Sequence, residues 1–185
     1  MKRLFLSVDL PDDLADEVAA VQEELSEAGR LRFVDPAQAH VTVKFLGDTD
    51  PDRVLDIETA VETAIDDAGV GPFDATVADL GVFPSPDYIS VVWLGVRAGA
   101  EEMTRLHEAI ERETTAVGFD PESHDFTPHV TIARMNSARG KEHVQRVVRE
   151  QDPVVGTFRV TEVRLKESTL EGDGPVYDTV SRFAL

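Results

Sequence analysis

The sequence has no cysteine, one tryptophan, two tyrosines and four lysines among its 185 residues. Without cysteine there is no disulfide, no thiolate metal site and no cysteine nucleophile. No apolar run reaches the 18 residues that a membrane-spanning helix needs. The opening Met1-Lys2-Arg3-Leu4-Phe5-Leu6-Ser7-Val8-Asp9 has a basic start, but its apolar run stops at Asp9, too short for a signal peptide. A cytoplasmic protein is expected. Basic residues are scarce as well, 18 against 36 Asp and Glu, for a formal net charge of -18. Many acids with few lysines point to adaptation to high salt, where dense ions screen self-repulsion.

The charge is uneven. Residues 1–92 carry 6 basic and 20 acidic groups, residues 93–185 carry 12 and 16. Arg134, Arg139, Lys141, Arg146 and Arg149 cluster in the second half, where a polyanion would be tolerated. With 42% hydrophobic residues the chain has enough apolar surface to fold.

One short pattern occurs twice: His40-Val41-Thr42-Val43 and His129-Val130-Thr131-Ile132. A strand alternates its side chains between two faces, so His and Thr of each copy share a face and the apolar residues take the other. The surroundings repeat too. At the 89-residue offset of the histidines, Leu4 matches Trp93, Leu14 matches Met103 and Val21 matches Ile110; at an offset of 85, Phe73 matches Phe158 and Leu80 matches Leu165. This is a duplication, not a solenoid. Strand patterns at 4–9, 31–34, 41–46, 73–82, 88–96, 126–133, 155–165 and 177–183 alternate with four helical stretches. A turn is expected at Pro84 and Pro86. The expectation is an α+β fold over 1–185. It is one domain of two pseudo-symmetric lobes, each an antiparallel sheet backed by helices, with the motifs on facing central strands and a cleft between.

The repetition singles out His40 and His129. His107 and His143 fall on helices among charges and His124 in a loop, where a structural role is the default. No typical zinc spacing, no G-x-S-x-G nucleophile elbow and no phosphate loop is present. What two such histidines can do is general acid–base chemistry, one taking a proton and the other giving it. Thr42 and Thr131 can hold phosphate oxygens on the same face.

The two H-x-T-x motifs resemble those of the two-histidine phosphoesterases, and within them the RNA 2′,3′-cyclic phosphodiesterases, also called 2′-5′ RNA ligases. So do Arg3-Leu4-Phe5-Leu6-Ser7-Val8, Lys44-Phe45-Leu46-Gly47, Gly81-Val82-Phe83-Pro84, Trp93-Leu94-Gly95-Val96, Phe126-Thr127-Pro128, Arg134, Glu167-Ser168 and Tyr177. The resemblance covers nearly the whole chain. It implies hydrolysis of a terminal 2′,3′-cyclic phosphate on RNA to a 2′-phosphate, with His40 as proton donor, His129 as proton acceptor and no cofactor or metal. Alternatives are ATP-independent 2′-5′ ligation and RNA-end binding without catalysis. The RNA end is the expected partner, with no membrane, and the chain is expected to be a monomer. By the family pattern Arg134 contacts phosphate. Its odd offset from His129 puts it on the opposite strand face unless the strand has ended, so an ordinary salt bridge is the other reading. Phe45 is read as a core residue or as a stacking platform for the terminal base.

Overall fold

The computed structural model describes all residues from Met1 to Leu185. Strand β1 (Lys2–Asp9) leads through a 3-10 turn into helix α1 (Ala15–Leu25), then to β2 (Leu31–Phe33) and β3 (His40–Thr49). Helix α2 (Val54–Ala68) precedes the hairpin of β4 (Phe73–Ser85) and β5 (Tyr88–Val96), and α3 (Ala100–Ala116) precedes β6 (His129–Met135). Helix α4 (Lys141–Glu150) and strands β7 (Val154–Val160), β8 (Glu162–Glu171) and β9 (Gly174–Ala184) complete the chain. No helix is long and apolar enough to cross a membrane.

All strands join one curled antiparallel sheet, a half-barrel, in the order β7-β4-β5-β6-β3-β1-β8-β9, with β2 paired to β6. The two motif strands therefore do not face each other across a gap. They are neighbours at the centre, joined at the rung Val41↔Val130. The helices are exchanged between the halves: α1 follows β1 but packs on β6, β7 and α4, while α3 follows β5 but packs on β3 and α2. Each sheet half is thus covered by a helix that the other half supplies. The core fills the helix-covered face, where Val41, Ile57, Leu94, Leu106, Ile110, Val130, Ile132 and Leu165 are fully buried.

Several strand boundaries differ from the sequence pattern: β6 begins at His129, leaving Phe126-Thr127-Pro128 outside it, and β9 already begins at Gly174. Pro84 and Ser85 lie in β4, so the hairpin turn is only Pro86-Asp87. The run 155–165 is two strands, broken at Thr161. β7 pairs with β4 and β8 with β1, on opposite halves of the sheet. Apolar alternation continues through the crossing and gives no sign of it. In consequence Phe158 stands on β7 opposite Ala75 of β4. It neighbours β4 in the sheet and is not the counterpart of Phe73; by sheet position the counterpart of β4 is β8.

Candidate active site

At the central rung, Val41 and Val130 both point into the core, each 0% exposed. Antiparallel register then sets His40 across from Thr131 and Thr42 across from His129 on the open face. The two histidines are diagonal neighbours, at about 7–8 Å. The sheet thereby brings His40, Thr42, His129 and Thr131 into one square, all half-buried.

The imidazoles are held alike. His40 Nδ1 bonds the Gln38 carbonyl at 2.8 Å, and His129 Nδ1 bonds the Thr127 carbonyl at 2.6 Å. A carbonyl only accepts, so each Nδ1 carries the proton and each Nε2 is left for chemistry. Trp93 Nε1 is the sole buried side-chain polar atom without a partner, so both Nε2 atoms reach the open face. Aromatic walls fix the ring planes. His40 meets Tyr177 edge-on at 5.2 Å and Phe5 at 5.2 Å; His129 meets Phe83 edge-on at 4.9 Å and Trp93 at 5.9 Å. Trp93 can lie over its cross-strand neighbour Gly81 because a Cβ there would sit 2.2 Å from the indole.

Burial disfavours charge and lowers the pKa of both histidines. At His40 the Gln38 bond and the Asp9 carboxylate work against that, while Lys166 adds to it. Asp9 lies opposite His40 on β1. Burial pushes its carboxyl up, but hydrogen bonds from Lys166 and Ser7 and the Arg164 charge outweigh this and keep it low. At His129 the nearby Arg134 guanidinium adds to the lowering by burial.

Arg134 and Phe45 are where the sequence parity is wrong, and the reason is a pair of β-bulges. Along β5–β6 the register runs Trp93↔Thr131 and then Val92↔Ala133, leaving Ile132 as the extra residue. Along β1–β3 it runs Ser7↔Thr42 and then Leu6↔Lys44, leaving Val43 extra. These bulges are also 89 residues apart. Each shifts the following residues by one face. Lys44 and Ala133 are turned inward, and Phe45 and Arg134 are turned out beside His and Thr. Arg134 is exposed, with no ion pair. Phe45 is 62% exposed and no core residue. Lys44, with its side chain fully buried, reaches Glu111 Oε2 at 2.7 Å and the Asp120 carbonyl at 2.6 Å. Burial would raise the Glu111 carboxyl, but the hydrogen bond from Lys44 and the one from the Glu122 amide prevail and lower it.

The bulge carbonyls find side-chain donors on the exchanged helices. His107 Nδ1 on α3 bonds the Val43 carbonyl at 2.7 Å, and its ring stacks on Phe126 at 4.2 Å. Gln22 Nε2 on α1 bonds the Ile132 carbonyl at 3.1 Å and that of Val34 at 2.7 Å. Neither residue stood out as functional in the sequence. His107 is at a helical position, and Gln22 is one polar residue among many.

Beside the square opens a cleft of about 470 Å³, lined by Thr42, Phe45, Phe83, His129 and the loop residues Glu122, His124 and Asp125. No cluster of three or more His, Asp or Glu has metal-binding geometry.

The family model described as the 2′-5′ RNA ligase superfamily matches residues 10–169. The chain is 38% identical to an RNA 2′,3′-cyclic phosphodiesterase of Methanothermobacter thermautotrophicus, over 99% of this chain and 98% of the relative. It is 32% identical to one of Aquifex aeolicus, over 99% and 97%. Among solved structures, a Thermus thermophilus protein superimposes with TM-score 0.79 at 26% identity, over 99% of this chain and 97% of that one. Escherichia coli LigT with 3′-AMP superimposes with TM-score 0.81 at 22% identity, over 100% and 98%, a likeness of fold. With its paired motifs side by side in the sheet and the family model matching most of its length, the chain belongs to the 2′-5′ RNA ligase superfamily.

Proposed function

We propose that this chain hydrolyses the 2′,3′-cyclic phosphate end of RNA to a 2′-phosphomonoester by two-histidine acid–base catalysis, with no metal. The observation that carries the proposal is the matched pair of imidazoles, each with Nδ1 anchored and Nε2 open, set diagonally with a threonine across from each. In an in-line displacement at phosphorus one Nε2 takes a proton from water while the other gives one to the leaving oxygen. Following the family pattern, His129 is the acceptor and His40, beside the Asp9 carboxylate, the donor to the 3′ oxygen. Thr42 and Thr131 supply hydrogen bonds to the non-bridging oxygens, which carry more negative charge in the transition state, and Arg134 contacts substrate phosphate from the same face. Phe45, exposed at the cleft mouth, offers a face for the terminal base. Residues 1–185 act as one two-lobed unit with an internal duplication, a reading supported by a strand order that mirrors about the β6–β3 boundary.

The test is incubation with an oligoribonucleotide ending in a 2′,3′-cyclic phosphate. The expected product is the 2′-phosphate, at the same rate with and without EDTA. A 3′-phosphate product or loss of activity in EDTA would contradict the proposal. Ligation is the same displacement with a 5′-hydroxyl RNA end in place of water, giving a 2′-5′ phosphodiester, and adding such an end measures it in the same assay.

A further inference from the structure

Strand β2 is only three residues long, yet it sets Arg32 directly opposite Arg134. Direct partners share a face, and Arg134 shares the His129 face because Val91, Trp93 and Gly95 of β5 stand opposite Arg134, Thr131 and His129 in turn. Two guanidinium side chains thus leave the open face from Cβ atoms roughly 4.5–5.5 Å apart, an arrangement of like charges that is unfavourable by itself. Both are exposed. Neither has an ion-pair partner, although the chain has 36 carboxylates for 18 basic groups. Arginine does not escape repulsion by losing its proton. The pair is therefore built for an anion that the protein does not contain.

We propose that Arg32 and Arg134 together clamp the phosphodiester immediately 5′ of the terminal nucleotide, making RNA chains of two or more nucleotides the preferred substrate class. The inference rests on the proposed function, which sets the cyclic phosphate in the His–Thr square. From Thr131 to Arg134 the strand advances roughly 7–10 Å, allowing for the bulge. That is the scale of one sugar and its 5′ linkage, and it lies within the reach of two arginine side chains. The other exit from the square is the cleft past Phe45, where Glu122 and Asp125 line the wall. Carboxylates repel a phosphodiester backbone but accept hydrogen bonds from a base. The base accordingly takes the acidic cleft and the backbone leaves over the arginines. Planar guanidinium groups suit phosphate oxygens, two donors to two acceptors.

Three compounds test this: a cyclic mononucleotide with a free 5′-hydroxyl, a dinucleotide with the same cyclic end, and that dinucleotide with a neutral methylphosphonate linkage. The wild type is expected to favour the charged dinucleotide in kcat/KM by roughly tenfold over each of the others, as charge-assisted hydrogen bonds allow. Arg32→Ala should erase most of that preference, and the methylphosphonate penalty should shrink to the small remainder held by Arg134. Arg32→Lys should restore part of it. The Tm of Arg32→Ala should not fall, since one of two facing charges is gone. Equal losses on mononucleotide and dinucleotide would overturn the clamp, as would an undiminished methylphosphonate penalty in Arg32→Ala. Binding of the 2′-phosphate products provides a readout independent of turnover. If nothing is hydrolysed, the activity fails. If Arg32→Ala binds the dinucleotide 2′-phosphate as tightly as the wild type does, the clamp fails.

Discussion

The bond from each Nδ1 to a carbonyl two residues upstream decides what its imidazole can do. It fixes the tautomer and leaves Nε2 as the working atom at both His40 and His129. In the proposed mechanism the proton roles turn on pKa, and burial lowers it at both histidines. The donor must be protonated and the acceptor neutral, so kcat/KM against pH should be bell-shaped. Depressed values put its maximum below about pH 6.5, the ordinary histidine pKa. Bound phosphate favours both imidazolium forms, so the kcat profile should lie at higher pH than that of kcat/KM. His40→Ala should remove the alkaline limb and His129→Ala the acidic limb. A substrate with a better 3′ leaving group should rescue His40→Ala and not His129→Ala; the reverse rescue would exchange the roles. Thr42→Ala and Thr131→Ala should each lower kcat by up to about 10²–10³, the cost of one transition-state hydrogen bond. Either threonine variant at full rate would remove that hydroxyl from the mechanism.

At the scale of the element, the bulges are what turn two ordinary strands into a site. A regular β6 would send Arg134 to the core face and Ala133 outward. The exchanged helices hold the bulges through buried donors, so these contacts should matter for rate as well as stability. Gln22→Leu leaves the Val34 carbonyl without its side-chain donor and weakens the hold on that of Ile132. His107→Leu does the same to Val43. Each should cost about 1–3 kcal/mol in denaturant unfolding, the usual range for a stranded buried polar group. In the folded protein each should also lower kcat more than it raises KM for a cyclic mononucleotide. His107→Gln, which keeps a donor, should recover part of both. A variant that loses stability with no change in kcat would make these helix-to-bulge contacts purely structural.

The same element explains what was legible in the sequence. His40, Thr42, His129 and Thr131 stood out because a strand's two-residue period makes a repeated His-x-Thr into a repeated face. The helices stood out through their apolar spacing. A bulge is a property of two strands in register, and nothing in Val43 or Ile132 alone announces one. Counting positions from His129 therefore gave the wrong face for Arg134, and the exposure of Phe45 was hidden for the same reason. The exchange of α1 and α3 between halves was equally invisible, since each helix's apolar stripe fits either sheet half.

On the whole molecule, a net charge of -18 sets two effects of salt against each other. Self-repulsion opposes the compact state and is screened as the Debye length falls from about 10 Å at 0.1 M to about 3 Å at 1 M. Stability should therefore rise with KCl over that range, read as an increasing midpoint in urea, which adds no ions of its own. RNA binding should respond the opposite way but weakly. Two phosphate groups on the open face imply a slope of log K against log salt of about -1.4, at -0.7 per neutralised phosphate in a single strand. An acidic surface that repels the rest of the RNA should keep longer chains from steepening it. The expected pattern is a urea midpoint that climbs from 0.1 to 1 M KCl while kcat/KM for a dinucleotide cyclic phosphate falls only about 25-fold at most. A midpoint that falls with KCl would remove the salt-adapted reading of the surface. A slope growing steadily with RNA length would mean that a basic track continues past Arg32, over the arginines of α4.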